Sequence, residues 1–168
     1  MNTGSMPFTP PANDAGGAED VRVELRRDHD AALGELEALR HEKDERRCHD
    51  RLQRLRQSWV IHALAEESVI YRMLESVQSS ERADERFIEH ELVGGLFEKL
   101  AQTRPGTLEW HARLNVVRDL MKRHIETEQA DIFARLASRL DAQGLREAGE
   151  RFRSAHRKLA MLERLKAA

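Results

Sequence analysis

A single cysteine, Cys48, leaves this 168-residue chain without an internal disulfide, so a reducing, cytoplasmic setting is expected. Four prolines, nine glycines and an aromatic share of only 5% fit a helical protein. No apolar run approaches the roughly 18–20 residues that span a bilayer. The N-terminus lacks the basic and apolar regions of a secretory signal, so no membrane association is expected. Neither sign of charge dominates: 28 basic and 30 acidic residues are interspersed to a net −2, leaving neither a nucleic-acid stripe nor an acidic tail. A Gly-rich phosphate loop, a CxxC pair and a nucleophile elbow are all missing.

What is present is helical periodicity. The length suggests one domain with a real core. Residues 1–18 (MNTGSMPFTPPANDAGGA) have little to bury and read as a disordered tail, with a helical domain over 19–168. Helices are expected at 20–43, 45–77, 81–103 and 107–140, with a short fifth at 142–165. Ser79-Ser80 before Glu81 offers a cap, Pro105-Gly106 ends one helix, Thr107 opens the next and Asp141 could cap the last. The break near residue 44 has no Gly or Pro to mark it. Short links between long helices predict an all-α, antiparallel up-down four-helix bundle.

The chain also repeats itself. Sliding it by 62 residues lays His62, Glu66, Ile70, Tyr71 and Leu74 on His124, Glu128, Ile132, Phe133 and Leu136; sliding it by 61 lays His29, Leu36 and Leu39 on His90, Phe97 and Leu100. Each half is then a helix pair that supplies one His, followed by His-x-x-x-Glu. Positions four apart lie about 40° apart on one helical face, so such a His and Glu can reach one metal, or the Glu can bridge two. All four histidines share their faces with apolar residues: Leu25 and Leu36 beside His29, Leu55 and Trp59 beside His62, Phe87 and Phe97 beside His90, Val117 and Met121 beside His124.

A lone histidine on an apolar face is more often a hydrogen-bonded core residue than a ligand. Four on separate helices, two with a glutamate one turn on, point to a metal site. Two buried carboxylates need a cation. Four imidazoles with two carboxylates suit iron, manganese or zinc.

In the segments RRDHD, HALAEESVIY, FIEHELV and HIETEQADIF the chain resembles the hemerythrin-like, or HHE cation-binding, family from about Val21 to Leu140. The resemblance implies metal ligands at His29, His62, Glu66, His90, His124 and Glu128, with Glu66 and Glu128 as bridging carboxylates. It implies two non-haem iron ions joined by oxide or hydroxide, with manganese or zinc less favoured. Oxygen-carrying members have a further His where this chain has Arg86, and an Asp five residues after the last His rather than Glu128 at four. That departure turns the expectation from oxygen carriage toward binding or sensing O₂, NO or iron. A di-iron enzyme acting on peroxide or nitric oxide and a metal-free partner-binding bundle are the alternatives. The partner is expected to be a small diatomic or peroxide ligand, with the oligomeric state open.

Several residues are set aside. Asp131 could accept from a ligand histidine or stand in solvent; Glu67, next to Glu66, could also support a ligand, but a solvated face is the plainer reading. His41, His49, His111 and His156 lack the carboxylate spacing. Cys48 sits beside Arg46, Arg47 and His49, which could lower its pKa, but an incidental thiol is the plainer reading. Tyr71 and Trp59 fall near the site by helical phase.

Overall fold

The computed structural model describes residues 19–75 and 80–166, and all the regular structure among them is helical. α1 runs Val21–His41 and α2 Glu45–Glu66. α2 continues through a π-helical turn, Glu67–Tyr71, and a last α-turn, Arg72–Glu75. α3 covers Ser80–Ala101, α4 Leu108–Arg139 and α5 Ala142–Lys166. The expected tail at 1–18 and the Ser79 cap lie outside the described residues. No helix of the described residues is long and apolar enough to cross a membrane.

Side-chain caps set the boundaries, because the first N–H groups of a helix have no partner within it. Asp20 accepts from Arg22 N at 2.9 Å and Asp44 from Arg47 N at 2.9 Å. Thr107 accepts from Trp110 N at 3.1 Å and Asp141 from Gly144 N at 2.8 Å. The unmarked break near residue 44 is therefore an aspartate cap. Gly106, with φ of 78°, makes the turn before α4 in a backbone region that favours glycine.

Two apolar clusters fill the core. One gathers Leu36, Leu55, Trp59, Val93, Phe97, Val117 and Met121 with their neighbours. The other gathers Val21, Leu25, Ile70, Tyr71, Ile132, Phe133 and Phe152. α1 passes from the second cluster to the first, α2 from the first to the second, α3 back again and α4 forward again. Consecutive helices therefore run in opposite directions. Contacts join α1 to α2, α2 to α3, α3 to α4 and α4 to α1, an order consistent with a four-helix bundle.

The fifth helix keeps its expected bounds to within a residue, but it is not short. At 25 residues it is longer than α1, and it packs on α1 and α2 through Leu145, Ala148 and Phe152. Its amphipathic stripe needs an apolar surface to cover, and the flank of the bundle supplies one. Gly149 permits the approach: a Cβ there would strike the carbonyl oxygen of Glu19 at the start of α1.

Candidate metal centre

A polar layer separates the two apolar clusters. Four helices each carry one histidine into it: His29 from α1, His62 from α2, His90 from α3 and His124 from α4, all buried. Glu66 and Glu128 follow one turn after His62 and His124 and are both 0% exposed. The Nε2 atoms converge on the carboxylates. His29 Nε2 lies 3.1 Å from Glu128 Oε2 and His124 Nε2 3.5 Å from the same oxygen. His90 Nε2 lies 3.3 Å and His62 Nε2 3.8 Å from Glu66 Oε2. His29 and His62 meet Nε2 to Nε2 at 3.2 Å. The six sequence-predicted residues are thus brought to one place.

Two overlapping groups could each hold a cation: His29, His62, His124 and Glu128, and Glu66, His90 and His124, with the donor atoms of each within 4.8 Å of one another. The unmet polar atoms fit that reading. Glu66 Oε1, both oxygens of Glu128 and His124 Nε2 have no hydrogen-bond partner among the described residues. Buried polar atoms are nearly always paired, so so many orphans around one point fit a cation.

Away from the centre, three imidazoles rest on carboxylates. His62 Nδ1 lies 3.3 Å from Asp28, His90 Nδ1 2.8 Å from Glu67 and His124 Nδ1 3.2 Å from Glu89. A carboxylate at Nδ1 places the ring proton there and leaves the Nε2 lone pair free for a metal. His29 Nδ1 has no such partner among the described residues.

Glu67 takes the less favoured of its two sequence readings: it stands behind a histidine of the centre rather than in open solvent. Asp28 and Glu89 were missed, although the repeat held the signal: the 61-residue offset that relates His29 to His90 also relates Asp28 to Glu89. Each partner histidine sits on a neighbouring helix, so spacing along one helix could not reveal the pairs.

The π-turn positions Tyr71. In an ideal α-helix the residue five places after Glu66 would lie about 140° around the axis. The wider turn brings the Tyr71 hydroxyl to donate to Glu66 Oε2 at 3.0 Å, with its ring stacked on His90. The Trp59 ring lies 5.4–5.7 Å from those of His62, His90 and His124, closing the first cluster against the layer.

Electrostatics divide the two glutamates. Burial works against the Glu66 anion, but the His90 hydrogen bond and the charges of His62, His90 and His124 outweigh it and lower its pKa. Glu128 is pushed well up, by burial first and then by the Glu66 charge. Burial also lowers His29 and His124. His90 goes the other way: hydrogen bonds to Glu66 and Glu67 overcome its burial and raise it to about 9. Burial raises Tyr71, helped by both glutamates.

A model of the hemerythrin HHE cation-binding domain matches residues 20–136. The chain belongs to that family. The HHE match covers α1 to α3 and nearly all of α4, the helices that carry the polar layer; α5 lies beyond it. Among curated proteins, this HHE chain is similar to one named DNA nickase from Nostoc sp. (strain PCC 7120 / SAG 25.82 / UTEX 2576). The two are 21% identical over 143 residues, which is 84% of this chain and 41% of that protein. The chain therefore matches less than half the length of this relative. No solved structure matches it.

The other set-aside residues fall away from the HHE centre. His41 is exposed and pairs with Glu37, and Asp131 pairs with Arg135 at 3.7 Å. His156 of α5 stands 3.6 Å from Asp28, behind His62. Cys48 is buried in the first cluster and donates to the Glu42 carbonyl at 3.6 Å. Burial, then the charge of Glu42, raises its thiol pKa rather than lowering it, so the basic neighbours in sequence do not activate it.

Proposed function

We propose that the chain is an up-down four-helix bundle that holds two iron ions on His29, His62, Glu66, His90, His124 and Glu128, and that it binds or senses O₂, NO or iron in the cytoplasm. The observation that carries this reading is the buried layer in which four imidazole Nε2 atoms face two carboxylates whose oxygens are largely unpartnered. The donor set of nitrogen and oxygen suits iron, manganese or zinc, and the choice of iron follows from the family resemblance.

A bound pair of redox metals would supply Lewis acidity and electrons toward a small ligand. The protein's own part is positional. Asp28, Glu67 and Glu89 orient the imidazoles. The Tyr71 hydroxyl holds Glu66, and the apolar clusters on either side keep bulk water out. Six protein donors leave positions open on two metals, where a diatomic ligand or peroxide would exchange.

A second reading, an enzyme that decomposes peroxide or acts on nitric oxide, is favoured by one feature. The Tyr71 O–H, bonded to Glu66 and 3.5 Å from His90 Nε2, is a hydrogen-bond donor at the centre that could turn to a bound oxygen ligand. The DNA chemistry in the name of the Nostoc protein stays with that protein, of which this chain matches 41%.

Metal analysis of protein expressed with iron, together with a near-ultraviolet and visible spectrum, tests the proposal. About two irons per chain with ligand-to-metal charge-transfer bands support it. One metal, or zinc, would keep a site but remove the redox chemistry. No uptake even after reconstitution would sink it and leave a helical bundle that binds a partner. Peroxide turnover that is lost in Tyr71→Phe would favour the enzyme over the binding protein.

A further inference from the structure

Arg86 lies on α3 one turn before His90 and is only 8% exposed. Burying a guanidinium is costly unless it is paired. Its Nη1 donates to Glu89 Oε2 at 3.0 Å, and that same oxygen lies 3.2 Å from His124 Nδ1. One carboxylate oxygen therefore joins a buried cation to an imidazole of the centre. We propose that Arg86 is a positioning residue for the metal centre: it clamps Glu89, and Glu89 holds the His124 ring with Nδ1 protonated and Nε2 turned inward. The metal part of this inference rests on the two-metal reading above.

Three observations favour a clamp over an ordinary helix-surface ion pair. Glu89 is 36% exposed on its side chain, so without a fixed partner it is free to turn to water. His124 is the histidine shared by both candidate cation groups, so its orientation bears on both positions. The repeat supplies an internal comparison. Sliding back by 61 residues lays Glu89 on Asp28 and Arg86 on Leu25. Asp28 supports His62 in the same way, at 3.3 Å, but the repeat puts Leu25 rather than an arginine in that place; His156 stands 3.6 Å from Asp28. The two halves of the centre thus use one carboxylate device, and at this repeat position the second half adds a buried arginine.

The test uses Arg86→Met, which keeps the apolar stem, Arg86→Lys, which keeps the charge, and Glu89→Leu, which removes the acceptor, alone and with Arg86→Met. In metal-free, ¹⁵N-labelled protein, long-range ¹H–¹⁵N spectra read the His124 tautomer. Wild type should show protonated Nδ1. Arg86→Met should show a mixture, Arg86→Lys should return most of the wild-type signal, and Glu89→Leu should lose the preference. In metal-loaded protein, a chelator should strip Arg86→Met about tenfold faster than wild type, the low end for loss of support behind a metal-bound histidine. In the Glu89→Leu background the Arg86→Met change should add nothing further, because its effect passes through Glu89. A wild-type tautomer and release rate in Arg86→Met would overturn the clamp, and so would an Arg86→Met effect that is undiminished in Glu89→Leu. If wild type takes up no metal, the two-metal reading fails, and the tautomer alone decides the clamp. If Arg86→Met does not fold, the Arg86→Lys and Glu89→Leu spectra decide it: a wild-type tautomer in Glu89→Leu refutes it.

Discussion

Glu128→Met should stabilise the metal-free protein and weaken the metal-bound one. Glu128 is 0% exposed, and neither of its oxygens has a hydrogen-bond partner among the described residues. Burial and the Glu66 charge push its pKa well up, so without metal the neutral carboxyl is favoured in this buried layer. Leaving such a group unsatisfied costs about 1–3 kcal/mol, and an apolar chain of similar length removes that cost. For a domain of this size each kcal/mol moves Tm by about 2–4 °C, so the metal-free variant should melt roughly 2–12 °C higher than wild type. Metal reverses the order. Ligand binding stabilises the native state by about 2.7 kcal/mol at a hundredfold excess over Kd, and the variant loses a ligand and with it most of that gain. Thermal melts followed by circular dichroism at 222 nm, with chelator and with added metal, read both effects. A metal-free Glu128→Met protein that melts below wild type would falsify the account of Glu128 as an unpaired group waiting for a cation.

Metal binding should release protons near neutral pH. Without metal, His90 holds a proton up to about pH 9 and Glu128 is held protonated by burial, whereas both must be deprotonated to bind. The metal-free form carries the extra protons, so apparent affinity should rise with pH until His90 has titrated. Calorimetry in buffers of different ionisation enthalpy checks this, and a buffer-independent heat would refute it. Glu67→Ala should weaken metal affinity by about 10–100-fold with little change in fold, because it removes the acceptor behind His90 from a half-buried position; competition with a chelator measures it. Gly149→Ala should destabilise the chain by about 1–3 kcal/mol through a clash with the Glu19 carbonyl, seen as a lower denaturant midpoint.

Helical geometry explains why so much was legible in the residues alone. Residues four apart share a face in any α-helix, so His62 with Glu66 and His124 with Glu128 could be read as pairs without knowing where the helices pack. The repeat then tied the two pairs to His29 and His90, and the apolar neighbours of each placed all of them inward. The same local rules located Thr107 and Asp141 as caps, while the break at Asp44 carries neither Gly nor Pro and is marked by its side-chain cap alone.

Contacts between helices obey no such local rule. Whether Glu67 meets His90 or water depends on how α2 is rotated and staggered against α3, and that follows from how Trp59, Leu55, Val93 and Phe97 interlock. The π-turn at Glu67–Tyr71 widens the helix by hydrogen bonds one residue longer than usual, and only then does the phenol reach Glu66. Cys48 shows where the two levels agree: its basic neighbours in sequence left an activated thiol open beside the plainer incidental one, and packing among apolar side chains decides for the incidental thiol. Period and repeat along the chain are properties of one helix and can be counted in residues. The carboxylates behind the histidines, the phase of Tyr71 and the long α5 flank depend on side chains far apart in sequence, and they exist only once the core has set the helices' spacing and rotation.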